Sequence, residues 1–201
     1  GQKVSQVAFG GQDWRQARQT GTHPGRAQQI FDVFAIMRDL HELLWYITEA
    51  LDLPAARPLH RELGLVLAES ERLTNLNPEA LIELDLETHR RGVNDLLLAA
   101  SELVRADVPN RKDYRGADLF GADLTGADLR GASLRGAQLI AADLRGADLR
   151  MADLTGADLR GANIAGADLR GAIFVIQSQL NAAKGDASTT VPPMFTRPLH
   201  W

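Results

Sequence analysis

The sequence predicts two kinds of architecture in one chain: packed helices first, then a stacked solenoid. Three observations carry this. Between Tyr114 and Phe174 a large apolar residue recurs every five positions: Tyr114, Leu119, Leu124, Leu129, Leu134, Leu139, Leu144, Leu149, Leu154, Leu159, Ile164, Leu169 and Phe174. An alanine stands two residues before each of these from Ala117 to Ala172, and a glycine usually stands two after, with Ala141 and Met151 as departures. Before the repeats, apolar residues fall at alternating spacings of three and four, the seam of a packed helix.

A period of five fits no ordinary element. It would scatter the leucines around a helix and alternate them across a strand. The chain must therefore bend once per repeat, returning each leucine to a common interior. Alanine and leucine two apart share one side of an extended stretch, and the residue between them, usually Asp, points out. Glycine lets the chain turn and lets backbones approach. Such units cannot bury their apolar face alone and must stack.

The run ADLFGADLTGADLRGASLRGAQL resembles the pentapeptide-repeat proteins, whose repeat reads A(D/N)LxG. The resemblance covers about residues 112–174. It implies a right-handed quadrilateral β-helix with four repeats per coil and leucines in the centre. The expected fold is thus a mixed α plus β-solenoid chain: an N-terminal helical domain followed by a short right-handed quadrilateral pentapeptide-repeat β-helix of about three coils. The expected divisions are a polar arm over 1–25, a helical domain of about three helices over 26–108, the β-helix over 109–174, and a capping helix with a tail over 175–201.

The arm is polar and glycine-rich, with Trp14 as a candidate ordering residue. The first helix starts near Arg26, with Ile30, Val33, Met37, Leu40, Leu44, Ile47 and Leu51 on one seam. Phe31, Phe34, Leu43, Trp45 and Tyr46 widen that surface, so the helix should meet more than one neighbour. Pro54 and Pro58 break it. A second helix is expected from about Pro58 to Thr74. A third, over about 78–105, starts at the Asn77–Pro78 cap and carries Ile82, Leu86, His89, Val93, Leu96, Ala100 and Leu103 on its stripe. A bundle of three helices is expected to cover the open N-terminal end of the β-helix. Alternatively the first helix pairs with its copy in a homodimer. After Phe174, a short helix over Ile176–Lys184 should stop at Gly185. The proline-rich tail is too apolar for simple disorder, and Phe195, Leu199 and Trp201 are expected to fold back, over the Phe120–Ile140 face or the helical domain. The stretch QSQLNAAKGDASTTVPP…RPLHW resembles the ending of uncharacterised actinobacterial pentapeptide-repeat proteins.

Composition narrows function. The net charge of −4 argues against a general nucleic-acid binder. With no cysteine, disulfide and thiolate chemistry are excluded. No stretch reaches the roughly 18 apolar residues of a membrane span, and the first thirty residues lack a signal-peptide core. A cytoplasmic protein is expected. The start at Gly1 points to a trimmed or partial N-terminus. There is no nucleophile elbow, phosphate loop, HExxH or cysteine cluster, so no catalytic, cofactor-binding or metal-binding residue is assigned. His41, His60 and His89 lie one on each expected helix; ordinary packing histidines explain them better than a converging site. The aspartates share one repeat position, which marks them as scaffold.

With four repeats per coil, residues twenty apart stack. Arg130, Arg150 and Arg170 then form one column beside Asp128, Asp148 and Asp168: an anion-binding strip, or a self-neutralised ladder that keeps the face soluble. Phe120, Ile140 and Arg160 form another, whose outward apolar groups mark a partner surface or a face covered by the chain itself. Phe120, Ile140, Arg160, Arg130, Arg150, Arg170 and Trp201 are the candidate interaction surface. The expected function is non-catalytic protein–protein interaction or scaffolding with an unidentified partner. The alternative implied by the resemblance is modulation of DNA gyrase or another topoisomerase by a rod that imitates DNA. Three coils at about 4.8 Å each span only about 15 Å. Residues 111–172 also hold nine basic residues against nine aspartates, so a duplex-like negative field is missing.

Overall fold

The computed structural model describes residues 24–201, with side chains from Gln28 onward. The expected polar arm over 1–25 and its Trp14 lie outside the described residues, apart from the first two residues of helix α1. That helix, α1, is Pro24–Asp52. It ends where Leu53 adopts the extended conformation that a following proline favours. A 3-10 turn, Pro54–Leu59, leads into α2, His60–Thr74. Helix α3 is Pro78–Ile82, α4 is Leu86–Val104 and α5 is Gln177–Ala182. The chain divides into two compact units, one up to Ala100 and one from Ser101 to Trp201.

In the first unit, Val33, Leu40, Leu73 and Leu81 form a buried cluster, flanked by Ile30, Ile36, Met37, Leu76, Leu84 and Leu86. Val33, Leu40 and Ile47 recur every seven residues on α1 and are fully buried, as a helical seam requires. Phe31, Phe34 and Trp45 stay substantially exposed. The expected third helix is in fact two. Asn77 caps α3 by accepting a hydrogen bond from the Ala80 amide at 2.9 Å. Asp85 then starts α4 by accepting from the Thr88 amide at 3.1 Å. The break at 83–85 changes the phase of the apolar stripe. Leu81 is buried and Ile82 exposed, and α4 buries Val93, Leu97 and Ala100 while Leu103 is exposed.

The second unit is built from single-residue parallel bridges twenty positions apart, such as Asp113↔Ser133, Ser133↔Asp153 and Asp153↔Ile173. A five-residue repeat with a twenty-residue register makes four sides per coil. Each side is too short for a longer strand, because a turn interrupts it. The turns are closed by bonds such as Ala147 N–H to Leu144 O at 3.0 Å. Their third residue takes a positive φ, the position where such turns favour glycine. Ala141 and Met151 adopt it as well, at φ 56° and 58°. Close backbone approach, the second role expected for glycine, applies at few sites. A Cβ added at Gly116, Gly136 or Gly156 would meet nothing within 4 Å, whereas at Gly131 it would meet Val108 at 2.9 Å.

Leu129 to Leu169 are at most 2% exposed and line one continuous core with the alanines, and Phe174 is fully buried. In the first coil, Tyr114, Leu119 and Leu124 are only partly buried. At the C-terminal end the register continues through Asn163↔Lys184 and Asp168↔Thr190. Helix α5 ends at Ala182, short of the expected Lys184, because Lys184 is already engaged in that bridge. Gln179 Nε2 donates to the carbonyls of Leu154 and Ala157 at 2.8 and 2.9 Å, tying α5 to the turn that Ala157 N–H and Leu154 O close. The tail turns back here. Phe195 and Trp201 pack against the solenoid core at this end, while Leu199 is fully exposed and Phe120 remains 66% exposed. The tail therefore does not cover the Phe120–Ile140 face, and Leu199 takes no part in its docking.

Candidate interaction surface

The outward side of each repeat is set by its aspartate. The carboxylate folds back onto the backbone amide two residues on, as from Arg145 N–H to Asp143 Oδ1 at 3.2 Å and from Arg170 N–H to Asp168 Oδ1 at 3.0 Å. This local bond is the turn chemistry that Asp and Asn supply. It explains why Asn163 serves equally, accepting from Ala165 N–H. Where that second residue is arginine, its guanidinium returns to the same carboxylate in every case but Arg130, which follows Asp128. Arg115–Asp113, Arg145–Asp143, Arg160–Asp158 and Arg170–Asp168 pair at 2.6 to 2.7 Å. Hydrogen bonds from these arginines hold each of those aspartates below its ordinary pKa.

The first candidate column is largely self-paired. Arg150 binds Asp148 at 2.5 Å and reaches Asp168 at 3.9 Å, and Arg170 binds Asp168. Among the described residues Arg130 makes no ion pair, and its amide is capped by Asp128. The second column is different. Phe120 stands exposed in the first coil, Ile140 is half-buried, and Arg160 is exposed but paired. The bonds from Gly121 N–H to Ile140 O and from Ala141 N–H to Arg160 O keep the three at successive levels. Trp201 does not join them. Its indole N–H donates to Ala183 O at 3.1 Å, and its ring lies where a Cβ on Gly185 would come within 2.6 Å. That level is reached from Asp123 only after three bridges, through Asp143, Asn163 and Lys184.

His41 and His89 are engaged separately, and His60 keeps a buried Nε2 without a hydrogen-bond partner among the described residues. His41 Nδ1 contacts Met37 O, and His89 Nε2 contacts the buried Ser70 hydroxyl at 2.8 Å. Ser70 donates its proton to Val66 O, so His89 is the donor in that pair, and burial lowers its pKa. No group of three potential metal ligands occurs among the described residues.

A buried polar cluster was not foreseen. Asp153 is fully buried and accepts from Ser101 Oγ at 2.5 Å, Arg135 at 3.2 Å and Thr155 Oγ at 2.6 Å. Arg105, 2% exposed, donates to Ser101 Oγ at 2.9 Å, Gly131 O at 3.1 Å and Glu102 at 2.6 Å. Desolvation lowers the Arg105 pKa, opposed by Glu102 and Asp153. The available signal was the repeat itself: Ser133 stands where Asp is usual, and Thr155 follows Asp153 where Arg is common.

The family model for pentapeptide repeats, in eight copies, matches residues 113–150 and 137–174. The uncharacterized protein YybG of Bacillus subtilis (strain 168) is 57% identical over 205 residues, an alignment that takes in 100% of this chain and 71% of that protein. The chain belongs to the pentapeptide-repeat family. Two solved pentapeptide-repeat proteins are also similar to it. One, from Nostoc PCC 7120, is 34% identical, with 49% of this chain and 88% of that one covered at a TM-score of 0.33. The other, from the Arabidopsis thaliana thylakoid lumen, is 33% identical, with 40% and 55% covered at a TM-score of 0.30. As a pentapeptide-repeat protein, the chain has repeats that serve architecture, and its individuality lies in the positions that depart from them. No helix among its described residues is long and apolar enough to cross a membrane.

Proposed function

We propose that this pentapeptide-repeat protein is a non-catalytic protein–protein interaction module. Its solenoid is read as a right-handed quadrilateral β-helix of about three coils, working in the cytoplasm. The observation that carries the reading is Phe120. A phenylalanine 66% exposed, in a column whose one charged member, Arg160, is paired with Asp158, is an apolar anchor with no packing partner among the described residues to explain it. The column Phe120–Ile140–Arg160 supplies an apolar centre with a polar edge, the usual anatomy of a docking patch. Arg130, Arg150 and Arg170 form a secondary strip in which Arg130 has the guanidinium freest to engage a partner's carboxylate. Trp201 serves the tail first and borders a different surface. The exposed Phe31, Phe34 and Trp45 on α1 support a homodimer through the helical domain.

Affinity capture with mass spectrometry tests this reading when set beside a DNA gyrase supercoiling assay. A stoichiometric partner other than a topoisomerase is the expected result. Supercoiling altered at stoichiometric protein would replace this reading with the topoisomerase one. Light scattering at micromolar concentration should give the mass of two chains, and a mass of one chain removes the homodimer.

A further inference from the structure

A repeat solenoid poses a register problem to anything that packs on its side, because successive levels offer nearly the same surface. Apolar contact cannot choose between levels about 5 Å apart. Residues 101–108, the last turn of α4 and the segment after it, nevertheless sit at one level of the second unit. We propose that the buried cluster of Ser101, Arg105, Arg135 and Asp153 sets the register at which this segment docks on the solenoid.

Two departures from the repeat, Thr155 and Ser133, converge on that site with two ordinary repeat residues, Arg135 and Gly131. At Asp143, Asp148, Asp158 and Asp168 the arginine two residues on occupies the carboxylate. At Asp153 that residue is Thr155, whose hydroxyl takes Oδ1 and leaves Oδ2 to Ser101 and Arg135. One level earlier in the same column, Ser133 replaces the aspartate and is itself 2% exposed. A second carboxylate there would share the same dry cluster. Arg135 extends between levels, bonding both Asp153 and Thr155. Gly131 accepts the Arg105 guanidinium on its carbonyl and leaves the space that Val108 fills.

A slip of one level along this column would remove Asp153 from Ser101 and offer Ser133 or Ile173 instead. The guanidinium of Arg105 would keep Ser101 and Glu102, which move with it, but would leave Gly131 O and the carboxylate of Asp153 that Ser101 links it to, an unfavourable change for an internal charge. Buried ionic clusters add little net stability compared with well-packed apolar groups, but they penalise wrong arrangements strongly. This cluster is therefore a specificity device before it is a stabilising one.

The chain has no cysteine, so paired spin labels at Ala106→Cys and Arg130→Cys, both exposed positions, report the docking distance directly. The otherwise unmodified chain should give one narrow distance. The triple variant Ser101→Ala/Arg105→Met/Asp153→Leu should keep or raise the melting midpoint while its distance distribution gains components displaced by about 5 Å per level. An unchanged narrow distance in the triple variant overturns the proposal. So does a lowered midpoint with a single distance, which would make the cluster a stabiliser only. If the triple variant does not fold, Ser133→Asp and Arg105→Lys decide the matter. Each leaves most of the cluster in place, and each should broaden the distribution. A single narrow distance in both is the contrary result.

Discussion

Replacing Gly131 and Gly136 separately by alanine isolates one interaction at the side of the solenoid. The two glycines occupy the same turn position with φ of 62° and 63°. Alanine in this left-handed region costs roughly 1–2 kcal/mol at either site. The cost is bearable, because Ala141 and Met151 already adopt φ of 56° and 58° in equivalent turns. Only the surroundings differ. The new methyl of Gly136→Ala meets nothing within 4 Å, while that of Gly131→Ala falls 2.9 Å from both Cβ and Cγ1 of Val108. Carbon atoms pack at about 3.5–4.0 Å, so Val108 must retreat by more than half an ångström. It is 8% exposed and sits next to the buried Arg105 contacts. Overpacking of this kind costs about 1–3 kcal/mol. Denaturant titration should therefore find Gly131→Ala less stable than Gly136→Ala by about 1–3 kcal/mol, with the same m-value. Equal losses would refute the docking of residues 101–108 on that turn.

Three further outcomes are expected. Leu144→Ala should cost about 2–5 kcal/mol in the same titration, since Leu144 is fully buried between the levels of Leu124 and Ile164. Arg145→Ala, one residue later and outward, should be hard to distinguish from the unmodified chain. Asp186 accepts bonds from Ser188, Gly166 and Thr189, which hold its pKa down to about 2. A depressed carboxylate pKa stabilises the fold above the unfolded value of about 4, and that contribution fades as pH falls from about 4 to about 2. Asp186→Asn should flatten this part of the pH–stability curve, and an unchanged slope would show that Asp186 is not its source. Deleting residues 191–201 should lower the melting temperature and increase binding of an apolar dye, because Phe195 and Trp201 would leave the core they cover. An unchanged melting temperature would mean that the tail does not support the solenoid.

The solenoid was legible because its period is rigid. Every leucine from Leu129 to Leu169 is buried where the five-residue rule puts it, and the Asp–Arg spacing of two gives most of the outward ion pairs, Asp128 and Arg130 excepted. The helical region was legible in the seam of its first helix, where Val33, Leu40 and Ile47 are buried, and at the Asn77–Pro78 cap. It was less so across 83–85, where Asp85 ends one helical phase and begins another. A stripe counted through that break puts Ile82 and Leu103 inside, and both are exposed. The fold-back of the tail was foreseeable from its apolar content, but its place was not. Trp201 docks because Gly185 leaves room beside the Ala183 carbonyl, a fit between residues that no periodicity links. The Arg105–Asp153 cluster was missed for the same reason. Its members are scattered along the chain and become a unit only when the twenty-residue register stacks them. The departures Ser133 and Thr155 were visible, yet without the docked segment they read as neutral variation.

The most direct measurement is the affinity of a captured partner for the unmodified chain and for Phe120→Asp. Phe120 is 66% exposed, so the change leaves the core intact, which circular dichroism and an unchanged melting temperature should show. If the Phe120 column is the docking surface, a charge at its apolar centre should weaken binding by about 30-fold or more, the loss of a hot-spot residue worth roughly 2 kcal/mol. Binding within about twofold of the unmodified chain, with the fold intact, would contradict the assignment of function to this face.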